Sequence, residues 1–396
     1  MSAVEIPSFE HRGVPWRQTV RGGTIEDRRL TSIVTSIPPD IAELAPVLPP
    51  GLVAECDDAI RAMAGLDAAE GDHLKPLATL LLRAESVASS KIENESASIE
   101  DYARALYGIK ANRSAVAMAA ATGAMDRLLH GSIDDEGILA AHRLLMADEP
   151  AEAAYAGRWR TMQNWIEGSD HSPRNASYVP PPAELVAPKM ADLMVFANRR
   201  DLPVVCQAAV AHAQFESIHP FTDGNGRIGR ALAAAVIRQR GVARNLVIPI
   251  ASALVARRDH YFDTLGAYRS GDAAPIVRAF ARSATIASDE SRTTAATLRD
   301  LPERWRVAAG NPRADSATSV LLRSLMAVPV VTSEYVETEL GMPTATVHRA
   351  FDRLATAGIL RPLTDRTRNQ VWGAADILDE LEDLGSRIAA RARSAF

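Results

Sequence analysis

The chain has 396 residues, 47% of them hydrophobic and 23% charged, with a formal net charge of -5. That length allows a large buried core and two or three domains, and the acid excess argues against binding polyanions over the whole surface. Two cysteines, Cys56 and Cys206, are too few for a disulfide framework or a cysteine-rich zinc site, and both lie in apolar helical contexts. No apolar run approaches the ~20 residues needed to span a bilayer, and Met1 to Thr19 lacks a signal-peptide core, so a cytoplasmic protein is expected. Ala-rich periodic segments predict a mainly α fold.

In chain order, Met1 to about Leu30 is polar and reads as an extended arm, and IPPDIAELAPVLPPGL is a proline-punctuated lead into helices. The stretch LLLRAESVASSKIENESAS predicts a helix in which Ser89 and Glu93, four apart, share a face. Asn94 tolerates the left-handed conformation that ends a helix, so the Glu93 carboxylate falls at a helix end. Taken alone it is an ordinary solvated glutamate. In GRWRTMQNWIEGSDHSPRNASYVPPPAELV, the β-favouring run Arg160 to Ile166 includes Gln163, Asn164, Trp165 and Ile166. A turn-rich stretch and then Ala176 to Val179 follow, which predicts a β-hairpin, and Pro180 to Pro182 read as a rigid connector.

The next helix places Val204, Ala208, Ala211, Phe215 and Ile218 on one apolar face and runs into HPFTDGNGRIGR, His219 to Arg230. Gly224 and Gly226 are expected at positive φ, with Asn225 between them tolerating the same region, forming an anion-holding nest at a helix start. Asp223 is a hard oxygen ligand suited to Mg²⁺ on nucleotide phosphates. Arg227 and Arg230, three apart, point along one face toward the anion, and His219 suits removal of a proton from a hydroxyl. The segment also matches G-x-G-x-x-G, but a helix precedes it and no acidic residue stands about 20 positions on, so a dinucleotide fold is excluded. No G-x-x-x-x-G-K-[ST] occurs.

HPFTDGNGRIGR resembles the signature of the Fic family, HPFx[DE]GNGRxxR, at every specified position. The resemblance implies a helical enzyme that transfers AMP from ATP to a Ser, Thr or Tyr hydroxyl of a target protein. It makes His219 the general base, Asp223 the Mg²⁺ ligand and Gly224, Asn225 and Gly226 the anion hole. Arg227 would neutralise the transferring phosphates, Arg230 would hold the γ-phosphate, and Phe221 would anchor the loop. The related Doc toxins carry Lys where Gly226 stands and act as kinases, so Gly226 points to adenylyl transfer.

Ser89, Glu93 and Asn94 resemble the family's inhibitory pattern [ST]-x-x-x-E-[GN] in the subclass whose inhibitory helix precedes the core. There the glutamate pairs with the second signature arginine, here Arg230, and ATP binds unproductively; such a glutamate is also placed to orient water for the reverse reaction. The hairpin resembles the family flap that registers a target segment, with Gln163, Asn164, Trp165 and Ile166 as its contacts. Trp165-Ile166-Glu167-Gly168 departs from the usual W-I-G-G-like run. In RRDHYFDTLGAYRSGD, Tyr261 is the candidate near adenine and Phe262 its rival; Asn245 and Ser252 are weaker candidates.

The tail, SVLLRSLMAVPVVTSEYVETELGMPTATVHRAFDRLATAGILRPLTDRTRNQVWGA, reads as a winged helix-turn-helix. Val347, Ala350, Phe351 and Leu354 would face its core, leaving Thr344, Thr346, His348, Arg349 and Arg353 outward, with Arg366 and Arg368 at the wing tip. Glu334, Glu337 and Glu339 offset those arginines, so DNA contact and protein contact both stay open. The boundaries read as 1–115 for the arm and inhibitory region, 116–295 for the core, 296–315 for a linker and 316–396 for the winged module. Two functions remain: an autoinhibited adenylyltransferase acting on protein targets, or a DNA-binding regulator that uses the core as a nucleotide sensor. Homodimer formation stays open.

Overall fold

In a computed structural model, which describes residues 4–19, 21–68, 74–364 and 370–395, helices dominate. The chain begins with β1 (Glu10–Pro15), α1 (Ile25–Arg29), β2 (Ser32–Ile37) and α2 (Pro50–Asp67). Next come α3 (Leu74–Ile92), α4 (Ile99–Leu106), α5 (Arg113–Leu129), α6 (Asp135–Leu145) and α7 (Val186–Asn198). They are followed by α8 (Val204–Ile218), α9 (Asn225–Gln239), α10 (Ile250–Val255), α11 (Arg258–Arg269) and α12 (Ala274–Ala308). The tail runs α13 (Ala317–Ala327), β3 (Val330–Thr332), α14 (Ser333–Glu339), α15 (Thr344–Thr356), β4 (Leu360–Pro362), β5 (Val371–Ala374) and α16 (Ala375–Ala395). Two compact units emerge, one of residues 1–60, 123–242 and 258–282, the other of 61–122, 243–257 and 283–396.

The first unit is built around α8. The single apolar face expected of it is exceeded, since every residue from Val204 to Ile218 is buried. A helix buried all round must satisfy its polar side chains internally. Gln207 accordingly donates to the carbonyls of Phe196, Ala197 and Arg199, and Gln214 donates to Pro39 and accepts from Tyr268. Helix α9 packs along α8, and Gly229 permits that approach, since a Cβ there would lie 3.1 Å from both His212 and Phe215.

The N-terminal arm is docked on the fold rather than free. Strands β1 and β2 pair antiparallel from Glu10↔Ile37 to Pro15↔Ser32, with Ile33, Thr35 and Ile37 buried in alternation. Val4, Ile6 and Phe9 are buried, and backbone bonds link Ile6 to Gly271 and Ala273 to Val4. These apolar residues, dispersed among polar ones, supply the burial that docks the segment beside the α11–α12 turn.

In the second unit, α10 and α16 pack against α3, and the buried Glu85 carboxylate accepts the Ala251 N–H at the start of α10. The stretch expected as a linker from 296 is helical as far as Ala308. Leu298, Leu301 and Trp305 recur at helical spacing and are buried, so α12 continues through them. The break falls at Gly310 and Asn311, both at positive φ. Beyond it, β3, β5 and β4 form an antiparallel sheet in that order, and Phe351 of α15 packs on Trp372 of β5. Helix α15 buries Val347, Ala350, Phe351 and Leu354. Arg366 and Arg368 lie outside the described residues.

Candidate active site

Helix α8 ends where His219 takes the left-handed conformation, φ 50° and ψ 60°, just before Pro220. Such a conformation in a non-glycine residue costs on the order of 1 kcal/mol and persists only where the surroundings enforce it. Arg160 supplies that enforcement. Buried to 2% exposure, it donates from Nε to the His219 carbonyl at 2.9 Å and from its other nitrogens to Met162, Pro181 and Ile218. The His219 Nδ1 faces the Glu216 carbonyl at 3.4 Å, and a carbonyl only accepts, so Nδ1 carries the proton and Nε2 keeps its lone pair. Burial, with Arg160 and Arg269 nearby, pushes this imidazole down to about 3, so it is neutral at physiological pH.

The loop then closes on itself. Phe221 is fully buried, and the Asn225 side chain brackets its backbone, Oδ1 accepting from the Phe221 N–H and Nδ2 donating to its carbonyl. Asn225 therefore shapes the loop through its amide, and its expected positive φ is not observed. Only Gly224 of the three nest residues has positive φ, 78°, while Asn225 and Gly226 open α9 in helical conformation. The Gly224 position is also crowded: a Cβ would lie 2.6 Å from Met146 Cε and 2.7 Å from Leu145 Cδ2.

No side chain caps the start of α9. Its first N–H groups lack intrahelical partners and, with the helix dipole, favour an anion. Arg227, 7% exposed, and Arg230, 2% exposed, rise from this turn. Arg230 Nη1 lies 3.4 Å from the Tyr261 hydroxyl, which is 2.7 Å from His212 Nε2. Asp223 is exposed; its Oδ1 accepts from Gly224 N and its Oδ2 lies 3.4 Å from Arg227 Nη2. No group of three metal-ligating side chains occurs among the described residues. One exposed carboxylate beside an anion site does fit Mg²⁺ held mainly by phosphate oxygens.

Two supporting residues went unread in the sequence. His142 of α6 accepts the Gly157 N–H at Nδ1, so its Nε2–H donates to the Asp223 carbonyl, and its ring stacks on Phe221 at 3.7 Å. Burial pushes it down to about 4. Arg160 is the second. Both act across more than fifty residues of sequence, and a lone His or Arg in a helical or strand-like run carries no local signal of such a partner.

The expected hairpin is reduced to a bridge between Ile166 and Tyr178 and one between Ser169 and Ser172. Two positive-φ residues, Glu167 and Gly168, end the first arm immediately after Ile166 and prevent a longer ladder. Gln163 donates to Pro180, Asn164 donates to the Phe221 carbonyl, and Trp165 meets Trp16 edge to face at 5.6 Å. The N-terminal arm braces this flap further. Ser36 N–H donates to Val179, and the buried Asp27 accepts from Ser172 and lies 3.5 Å from Arg174. The Ser172 hydroxyl and the Thr24 N–H, both donating to it, hold its carboxyl well below the usual carboxylate range.

In the second unit, Ser89 is buried in the last turns of α3, Glu93 follows the helix directly, and Asn94 has φ 62°. Asn245 is engaged with Asp67, and Ser252 lies in α10. In the first unit Tyr261 is 1% exposed and stacked on His212, whereas Phe262 is 41% exposed beneath Arg258.

Residues 132–237 match the Fic/DOC family. A protein adenylyltransferase fic-1 from Caenorhabditis briggsae is 28% identical over 156 residues, 39% of this chain and 27% of that protein. A protein adenylyltransferase Fic from Nematostella vectensis is 32% identical over 153 residues, 38% of this chain and 32% of that protein. The chain thus spans about a third or less of the length of these curated relatives. A crystal structure of a Fic family protein from Desulfovibrio desulfuricans G20 superposes with TM-score 0.55 at 21% identity, covering 83% of this chain and 97% of that one. The segment 132–237 is a Fic-family domain, and the fold is shared with that solved structure.

Proposed function

We propose that the chain is an autoinhibited protein adenylyltransferase that moves AMP from ATP to Ser, Thr or Tyr hydroxyls of target proteins, itself included, and releases pyrophosphate. The observation that carries this reading is the uncapped start of α9, where free N–H groups and two buried arginines adjoin a neutral imidazole with an available Nε2. His219 Nε2 takes the proton of the target hydroxyl, whose oxygen bonds to the α-phosphorus as the bond to pyrophosphate breaks. The approaching phosphates raise the affinity of that imidazole for the proton, offsetting the cost of its burial. The N–H groups of Asn225 and Gly226 and the Arg227 guanidinium stabilise the charge that develops, and Arg230, positioned by Tyr261, holds the γ-phosphate. Tyr261 then serves as a positioning residue, and Phe262 is the better placed aromatic for the adenine. Mg²⁺ bound at Asp223 supplies charge neutralisation on the leaving phosphates.

Glu93 is assigned the inhibitory role, opposing γ-phosphate seating until it is displaced. The element order α13, β3, α14, α15, β4, β5 supports a winged helix-turn-helix for the tail. DNA reading is weakened by the engagement of its cations: Arg353 donates to Ala309 and Gly310, and Arg361 pairs with Glu100 and Asp379. A protein contact is the better-supported use. Incubating purified Glu93→Gly protein with α-labelled ATP and Mg²⁺ tests the main reading. Label on the protein is expected; intact nucleotide together with tight retention of duplex DNA would instead favour the regulator.

A further inference from the structure

Within the second unit, the face of α3 that carries Ala84, Val87, Ala88 and Lys91 walls a cavity of about 440 Å³, inside the roughly 300–1,000 Å³ range of small-molecule sites. It exists because small residues face each other where α3 meets α16. A Cβ on Gly385 would meet nothing within 4 Å, and Ala389 lies one turn further along the same wall. The wall is therefore thinly packed, with small apolar residues between polar ones.

Its charged groups lean toward one sign. Ser252 is 3% exposed, lines the cavity, and its hydroxyl has no hydrogen-bond partner among the described residues. Lys91 and Arg393 stand at the rim, neither in an ion pair among the described residues, with Glu382 as the one carboxylate in the lining. Two cations against one carboxylate leave a net positive rim.

We infer that this cavity binds a small organic anion, its acid group held by Lys91 and Arg393 and its apolar body seated against Ala88 and Gly385. The site lies along α3, the helix that ends just before Glu93. Its occupancy is measured without any transfer reaction, so the outcome does not depend on the activity proposed above.

The test titrates the full chain with 1-anilinonaphthalene-8-sulfonate, an apolar fluorophore carrying one sulfonate, and follows its emission. A saturable rise with one probe per chain is expected. In Gly385→Leu, which fills the cavity and adds a better helix former, and in the surface variant Arg393→Glu, affinity should fall by about tenfold or more, the scale of one lost charge-assisted contact. Sodium decanoate and 1-naphthyl phosphate are then used as competitors, and displacement by one of them assigns a carboxylate or a phosphate as the preferred acid. Affinity within twofold of the parent in both variants, or displacement by neither competitor, overturns the assignment.

Discussion

Helices α8 and α15 both deliver polar residues to a surface, but they are held in opposite ways. Every residue of α8 is buried, so His219 at its end inherits a position fixed from all sides. Helix α15 buries only Val347, Ala350, Phe351 and Leu354, leaving Thr344, His348 and Arg349 exposed. All-round burial specifies the orientation of a reacting group, which bond making requires. One-sided burial leaves a face whose partner must supply the rest of the definition. The comparison predicts large effects of single substitutions at the first helix end and small ones on the open face of the second.

The largest expected effect is that of His219→Ala. Loss of general-base catalysis should lower AMP transfer by about 10²–10⁴-fold while nucleotide binding, followed by calorimetry, stays within threefold. Transfer at the parental rate would remove His219 from the reaction. Next comes Gly224→Val, which forces a branched side chain into positive φ and against Met146 and Leu145. A loss of roughly 2–4 kcal/mol is expected in urea unfolding, together with loss of ATP binding; an unchanged midpoint would show that the loop is not tightly enclosed.

A third effect follows from pH. Burial holds His142, His212 and His219 at about 4, 3 and 3, below the ordinary histidine value near 6.5. The unfolded chain therefore takes up these protons first. Stability from these groups is complete above pH 6.5 and declines as pH falls from there toward 4, by at most about 1.4 kcal/mol per pH unit for each imidazole. Urea midpoints at pH 7 and pH 5 check this, and equal values would contradict it. The smallest effect is expected of Arg349→Ala on α15, within roughly 0.5 kcal/mol of the parent by thermal unfolding. A much larger loss would show that this face is already covered.

What the sequence discloses follows the same division. The residues from His219 to Arg230 are adjacent in the chain, so their joint chemistry is readable in one line. The periodicity of α15 is likewise local, with Val347, Ala350, Phe351 and Leu354 at helical spacing. Asn94 was also legible as a helix-ending residue, since its short amide side chain tolerates positive φ. His142 and Arg160 were not, because their partners lie far along the chain and neither has a patterned neighbourhood. Just after the N-terminal arm, Ile33, Thr35 and Ile37 alternate, too brief a run to outweigh the polar residues before it. The composition of 1–30 suggested solvent, whereas Val4, Ile6 and Phe9 dock the segment in the core. The break at Gly310 and Asn311 is local and legible, whereas a linker start at 296 overlooks the spacing of Leu298, Leu301 and Trp305, which carries α12 past Pro302.

The central claim is that the neutral imidazole of His219 drives transfer of AMP at the start of α9 once Glu93 is removed. The measurement that tests it most directly compares Glu93→Gly with Glu93→Gly/His219→Ala, both given α-labelled ATP and Mg²⁺. The account predicts covalent label on the first protein and labelling slower by about a hundredfold or more on the second, with both still binding ATP. Equal label on both, or none on the first, would contradict it.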